Sequence, residues 1–114
     1  MKNWVVKIVL PCIVIIGITA CKKPLERVPC DGTVQNWDGN VVNIIADGCS
    51  GSNCHGAGSS RGDFTSYAGI KPYLDDQSFE NTVLVDRSMP RGGTLADSSL
   101  AKLQCWFEQG YPEN

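Results

Sequence analysis

Two cysteines and a histidine lie within one short segment near the middle of the chain, and this segment restricts the possible folds more than any other feature. Residues 49–55 read CSGSNCH, so four residues separate the thiols of Cys49 and Cys54, and His55 follows the second thiol directly. His55 is the single histidine of the sequence. Two thiols beside an imidazole form a ligand or attachment set for a metal or a metal-containing cofactor. The domain is therefore expected to fold around a group that the sequence does not encode.

The spacing within this segment indicates covalent haem. The familiar haem-attachment signal is C-x-x-C-H, and a four-residue spacer is a recognised longer variant of it. Two thiols add across the two vinyl groups of the porphyrin, and the residue after the second thiol presents its ring nitrogen to the iron. Serine, glycine and asparagine tolerate the outward bulge that the longer spacer needs. We therefore expect one haem c, held by Cys49 and Cys54, with His55 as the proximal iron ligand.

Two other interpretations of the segment stay open. Zinc would require the adjacent Cys54 and His55 to occupy two corners of one tetrahedron, and the fourth ligand would be Cys30, Cys105 or a carboxylate. A disulfide between Cys49 and Cys54, with the histidine on the surface, would need no cofactor. It would leave Met89, which lies in a loop later in the chain, without a role.

The N-terminal segment predicts export and lipid attachment. Lys2 and Lys7 accompany an apolar stretch over residues 8–18, which has the length of a signal-peptide core and is short for a bilayer core of about 30 Å. The stretch leads into I-T-A before Cys21, as in bacterial lipoproteins, whose signal peptidase cuts before a cysteine that is acylated. We expect residues 1–20 to be removed and Cys21 to carry the lipid. An ordinary signal peptide or an uncleaved anchor is the alternative, and both still place the domain outside the cytoplasm.

The remaining chain is expected to form one small acidic domain. Removing residues 1–20 from a chain of 114 leaves 94, of which residues 21–29 read as a charged, proline-containing tether and residues 30–114 as the domain. A domain of this size has a marginal hydrophobic core and usually needs a covalent or cofactor staple. After position 20 there are eight Lys and Arg residues against twelve Asp and Glu residues. This balance argues against a nucleic-acid-binding surface.

The spacing of apolar residues predicts helices separated by long loops. Asp38 is expected to cap a first helix that ends near Gly48. Thr65 is expected to cap a short second helix that stops around Pro72. A weak third helix is expected over residues 78–85, and no stretch shows strand-like alternation of useful length. These patterns predict an all-α fold.

The last helix has the clearest pattern in the sequence. Thr94 and Asp97 match a capping box at its start, and Gly110 is placed to end it. Apolar residues recur between these points at helical spacing and form one stripe, which comprises Leu95, Leu100, Leu103, Trp106 and Phe107.

Met89 is the one methionine that remains once the signal peptide is removed. It precedes Pro90 and two glycines, in a segment that cannot form regular structure. Because the chain has a single histidine, a His/His pair within it is excluded, and the available axial pair is His55 with Met89, a combination that raises the reduction potential. Arg87 and Arg91, close to this methionine, are candidates to pair with the haem propionates.

The order of these features resembles class I cytochromes c, and in particular the monohaem lipoprotein cytochromes of bacteria. An N-terminal helix, C-x4-C-H, a Met-Pro loop and a final helix reading LQCWFEQGYP follow one another over residues 30–114. The resemblance implies that the first and last helices cross around one haem, with His55 and Met89 as axial ligands. It implies an electron carrier that serves redox partner proteins, either as a monomer or as a subunit of a respiratory assembly. The longer spacer departs from the family pattern and leaves the local helical turn between the cysteines open.

The same resemblance brings Cys30 close to Cys105, because one precedes the first helix and the other lies in the last. In an oxidising compartment we expect these two residues to form a disulfide. The bond would close a loop of about 75 residues, which corresponds to about 3–5 kcal/mol of stabilisation. Two unpaired buried thiols are the alternative.

Two functions other than electron transfer are alternatives. A small peroxidase or gas-reactive haem protein would need Met89 to leave the iron and a histidine or another acid/base group to stand nearby, and the chain has no second histidine. A haem-free surface lipoprotein stapled by disulfides would need neither. An absorption spectrum recorded with and without dithionite separates the three.

Overall fold

A computed structural model describes residues 29–114 of the chain. Within this range there is no β-strand, so the all-α prediction is confirmed for the part of the chain that the structure describes. Two of the helical segments contain a stretch of π-helix. In chain order the elements are a π-helical stretch Trp37–Val41 that continues as α1 (Val42–Gly48), α2 (Tyr67–Asp75), α3 (Ser78–Glu80) with its π-helical continuation Asn81–Val85, and α4 (Asp97–Glu108).

The first helical segment begins earlier than the sequence pattern indicates. Its N-cap is Asn36, whose side-chain oxygen accepts a hydrogen bond from the amide of Gly39 at 2.7 Å. The predicted cap, Asp38, lies in the first turn instead, where its negative charge interacts favourably with the exposed amide groups. Asparagine and aspartate are both good N-caps, so propensity alone does not distinguish the two positions.

Helix α2 corrects two predictions. Its N-cap is Ser66 rather than Thr65, and the Ser66 hydroxyl accepts from the amide of Gly69 at 3.2 Å. The helix also continues through Pro72. An interior proline costs about 3 kcal/mol, whereas burial of an isoleucine and a leucine contributes about 1.5–3 kcal/mol each. Ile70 and Leu74, on either side of the proline, are fully buried, so tertiary packing outweighs the local penalty.

Helix α4 confirms the predicted end but not the predicted capping box. The N-cap is Ala96, which makes no side-chain hydrogen bond, and Asp97 lies in the first turn. At the other end Gly110 has a φ of 81°, and its amide donates to the carbonyl of Phe107 at 2.9 Å. The amide of Tyr111 donates to the carbonyl of Trp106, also at 2.9 Å. These two bonds form a Schellman motif, in which a glycine at this position avoids the steric cost of a left-handed residue.

The two ends of the domain pack against each other. The amide of Trp37 donates to the carbonyl of Pro112 at 3.0 Å, and the amide of Asp38 donates to the carbonyl of Glu113 at 3.0 Å. These bonds satisfy two amides that a helix N-terminus cannot satisfy internally. The ring centroids of Trp37 and Trp106 lie 6.2 Å apart in the core. The C-terminal tail is therefore part of the packing of the first helical segment.

The disulfide expected between Cys30 and Cys105 is present. The Cα atoms of the two residues are 5.6 Å apart, and the bond spans a sequence separation of 75. Cys30 precedes the first helical segment, and Cys105 is buried within α4. The bond thus links covalently the same two segments that the core tryptophans bring together.

Candidate functional site

The four residues predicted to hold a haem line one cleft. The cleft has a volume of about 420 Å³, and its walls include Cys49, Cys54, His55 and Met89. The first three are close in sequence, but Met89 comes from the loop that precedes α4. Apolar and aromatic side chains make up much of the rest of the wall, among them Phe64, Tyr73, Phe79 and Val83.

Cys49 stands at the end of α1, where its amide donates to the carbonyl of Ile45 at 2.8 Å. The side chain is buried, with 7% of its surface exposed. Burial, with a smaller contribution from the neighbouring Cys54, raises the pKa of the Cys49 thiol to about 11. Cys54 is exposed, and both thiols are free in this structure. The alternative of a disulfide between them is therefore not what the structure contains.

The spacer between the thiols folds outward. The amide of Cys54 donates to the carbonyl of Gly51 at 2.8 Å, and the amide of His55 donates to the carbonyl of Cys49 at 3.0 Å. The second bond closes the spacer into a loop with the two cysteines at its base. Spacer residues 51–53 are exposed. The four-residue spacer therefore forms the expected bulge, and the cysteines and His55 remain on the cleft wall.

His55 is half-buried and held in one orientation. Its ring stacks on Phe64 with a centroid distance of 4.0 Å and an interplanar angle of 4°. Its Nδ1 atom lies 3.3 Å from the carbonyl oxygen of Gly62. In the tautomer protonated at Nδ1, His55 donates to that carbonyl, and the lone pair of Nε2 is left for a metal. This packing differs from the surface histidine that a cofactor-free interpretation predicts.

Met89 is half-buried at the start of the loop before α4. Its amide donates to the carbonyl of Thr82 at 3.1 Å, which ties the loop to the helical segment that follows α3. The amide of Gly93 donates to the carbonyl of Pro90 at 3.4 Å and turns the chain back beyond the methionine. The loop thus presents the thioether to the cleft from a fixed point on the preceding helical segment.

Two arginines line the cleft, and only one of them was expected there. Arg91 lies in the wall, as its position beside Met89 indicates, whereas Arg87 is not among the lining residues. Arg61 also lines the cleft, and the sequence pattern does not single it out for this role. The sequence signal that could have found Arg61 is its position in the short glycine-containing loop that directly follows His55.

The structure of residues 29–114 can be compared with the zinc alternative and searched for a membrane-spanning helix. Cys30 and Cys105 are bonded to each other, so the zinc alternative loses two of its possible ligands. No group of three or more His, Cys, Asp or Glu side chains in this range is placed to hold a metal ion. No helix within the same residues is long and apolar enough to cross a membrane. The predicted signal peptide over residues 1–20, the predicted lipid attachment at Cys21 and all but the last residue of the predicted tether lie outside the described residues.

No protein-family model matches the chain, and comparisons with curated proteins and with solved structures find no match either. The resemblance to class I cytochromes c therefore depends on the order and spacing of residues in this sequence. Its physical support is the convergence of distant residues on one cleft.

Alkylation of the haem-free protein will distinguish the two thiols. The thiolate is the reactive form, and a pKa of about 11 leaves about one Cys49 in a thousand as thiolate at pH 8. We therefore expect iodoacetamide to modify Cys54 first. The raised pKa also makes the free energy of unfolding depend on pH. The folded state favours the neutral thiol of Cys49, so this stabilisation is complete below the pKa of the unfolded chain and is lost as the pH rises toward 11. Peptide mass spectrometry over a pH series measures the reaction at each site.

A Cys54→Ser variant is the matched control for this reaction, because it leaves Cys49 as the only free thiol among the described residues. In this variant the alkylation of Cys49 should be slow at pH 8 and should accelerate when urea unfolds the protein. Equal rates for the two thiols in the folded parent would contradict the burial of Cys49.

Proposed function

We propose that this protein is an electron-transfer cytochrome with one covalently attached haem c and His/Met axial ligation. The observation that carries the proposal is that Cys49, Cys54, His55 and Met89 all line the same cleft. Core packing explains a single methionine well, but it does not require that methionine to share a cleft with two free thiols and the chain's single histidine.

The residues of the cleft fit a haem in size and chemistry. Small-molecule and cofactor sites have volumes of about 300–1,000 Å³ and mostly apolar walls, and this cleft is within that range. Cys49 and Cys54 would hold the group as thioethers. His55 has an oriented ring with Nε2 available, and Met89 offers a thioether from a second segment of the chain. When bound, the haem supplies a one-electron change between ferrous and ferric iron.

The chain's own residues would tune that change. In the tautomer protonated at Nδ1, His55 would donate to the carbonyl of Gly62, which would raise the basicity of Nε2 and fix the orientation of the ring. Phe64 and Phe79 are buried in the wall and keep water from the site. A methionine ligand on the other side favours the reduced state and so raises the potential. Electron transfer then needs no separate substrate site.

The packing of the two ends of the described domain supports the proposal that its all-α fold is a class I cytochrome c-like arrangement. In such a fold the first and last helices cross, and here Trp37 and Trp106 meet in the core while Cys30 and Cys105 are bonded. The cleft lies between the end of α1, the loop after it and the methionine loop. This order of elements is the one that the resemblance implies.

The proposed location is outside the cytoplasm of a bacterium, with the lipid of Cys21 in a membrane. The support comes from the residues before the domain and from the disulfide, since disulfides persist in oxidising compartments. The partners would be redox proteins at that membrane, met as a monomer or within a respiratory assembly. A nucleic-acid partner is not proposed, because the chain is acidic.

Covalent haem is the test of this proposal. Protein matured with a haem-ligation system should keep its colour in a denaturing gel and gain the mass of one haem. Cys49→Ala or Cys54→Ala should reduce the attached haem, and the double variant should abolish it, because each thiol supplies one thioether. In-gel haem staining and intact-protein mass spectrometry measure both effects.

Ser52→Ala is a suitable control for the cysteine variants, because Ser52 is an exposed residue of the same spacer and offers no thiol. It should keep its haem. Loss of all colour from the parent protein on extraction with acidified acetone would show that the haem is not covalent and would refute the proposal.

A further inference from the structure

The loop that follows His55 turns back onto the haem-attachment segment. We call residues 56–63 the return loop. The hydroxyl of Ser59 donates to the carbonyl of Cys54 at 2.7 Å. The guanidinium Nη1 of Arg61 donates to the carbonyl of Asn53 at 2.8 Å. Two side chains of the return loop thus hold two consecutive carbonyls, one in the spacer and one at the second cysteine.

A third contact from the return loop reaches the next residue of the segment. The carbonyl of Gly62 is the partner of Nδ1 of His55 at 3.3 Å. Gly62 has a φ of +105°, and a Cβ atom at this position would lie 2.6 Å from the hydroxyl of Tyr73. That hydroxyl donates to the carbonyl of Arg61 at 3.2 Å, so α2 supports the return loop from the far side. The contacts therefore cover three consecutive residues from Asn53 to His55.

The carboxylate of Asp63 closes the return loop upon itself. One oxygen accepts from the amide of Gly58 at 2.9 Å, and the other accepts from the amide of Thr65 at 3.0 Å. These bonds hold the pKa of Asp63 below its usual value, the largest cause being the side-chain hydrogen bond with Thr65. The tripeptide 61–63, which matches an adhesion motif in sequence, is therefore used for contacts inside the domain.

We infer that Arg61 is a positioning residue for the second thioether. The inference rests on the proposed function. A four-residue spacer made of small polar residues can adopt many conformations, and the two thiols must reach two vinyl groups of one porphyrin. Each thiol adds its sulfur to one vinyl carbon and its hydrogen to the other, and nothing is released. By holding the carbonyl of Asn53, Arg61 keeps Cys54 on the same cleft wall as Cys49.

Arg61→Gln tests this role through the number of thioethers per chain. Haem-loaded protein is denatured and alkylated, and each chain attached through one cysteine gains one label, which mass spectrometry locates. We expect the fraction of singly attached chains to rise about fivefold, the factor that corresponds to loss of one hydrogen bond of ordinary strength. The unattached thiol should be Cys54. A singly attached haem also keeps one unsaturated vinyl group, which shifts its reduced absorption band to the red.

Two further variants separate the hydrogen bond from the charge. Arg61→Lys keeps a donor and should restore most of the double attachment. Lys102→Gln removes a positive charge from an exposed residue of α4 that does not line the cleft, so it should leave the number of thioethers per chain unchanged. A rise as large in Lys102→Gln as in Arg61→Gln, or no rise in Arg61→Gln, would overturn the inference.

A haem-independent measurement keeps this test separate from that of the proposed function. In the haem-free full-length chain, the amides of Cys54 and His55, which donate to the carbonyls of Gly51 and Cys49, should exchange hydrogen several times faster in Arg61→Gln than in the parent, because the return loop no longer holds the spacer. Unchanged exchange would overturn the positioning role. A parent that exchanges as expected but never acquires covalent haem would refute the proposed function and leave the contact intact.

Discussion

In the proposed cytochrome, a Met89→Ala variant should keep the covalent haem and bind carbon monoxide in the ferrous state, whereas the parent should not bind it. The thioethers of Cys49 and Cys54 do not depend on the methionine, so attachment should be unchanged. The sixth position of the iron should open, because Met89 is the methionine that lines the cleft and the chain's single histidine would hold the fifth position. The ferric protein should lose its weak sulfur-to-iron charge-transfer band. Its potential should fall, within the range of about 0.8 V that axial ligands control.

Two variants make the Met89 experiment decisive. Met89→His supplies a different ligand, so it should stay six-coordinate, exclude carbon monoxide and still show a lower potential. Val85→Ala shortens an exposed side chain in the preceding helical segment and should leave the spectrum unchanged. If the parent already binds carbon monoxide readily, or if Met89→Ala has the parent's spectrum, Met89 only packs in the cleft. This result would favour a peroxidase or gas-binding function over electron transfer.

Removal of the Cys30–Cys105 disulfide will cause the largest loss of stability that we expect from any change away from the cleft. The bond joins residues 75 apart and so restricts the unfolded chain over almost the whole domain. The chain-entropy model gives a stabilisation of about 3–5 kcal/mol for such a loop. A double Cys30→Ser, Cys105→Ser variant avoids a stray thiol and should unfold at a Tm lower by at least about 12 °C, since each kcal/mol corresponds to about 4–8 °C at this size.

Reduction of the parent protein is the matched control for the double variant. Dithiothreitol should lower the Tm of the parent to a similar extent and should leave the Tm of the variant unchanged. Thermal unfolding followed by far-ultraviolet circular dichroism measures both. If the Tm of the parent is the same with and without reductant, noncovalent packing around Trp37 and Trp106 is sufficient to hold the first helical segment against α4.

The amino-acid sequence by itself determined the local features of this protein. Three members of the predicted apolar stripe, Leu100, Leu103 and Trp106, are buried on the last helix, and Gly110 ends that helix as expected. Phe107 is half-buried, and Leu95 lies before the first residue of the helix. The all-α class follows from such helical spacings. The sequence also predicted Cys49 as a site residue, and it lines the cleft, because two closely spaced thiols followed by an imidazole indicate an attachment segment in any fold.

The tertiary structure alone decided that α2 continues past Pro72 and which distant groups meet. Pro72 is expected to end α2, because proline has no backbone amide hydrogen to donate. The helix continues because Ile70 and Leu74, on either side of the proline, are buried in the core. Arg61 enters the cleft wall because α2 supports a loop that local propensity leaves free to point elsewhere. Met89 reaches the same wall through a backbone hydrogen bond to the preceding helical segment. Residue spacing encodes contacts within a turn or two of helix, whereas contacts between distant segments depend on how all the elements share one core.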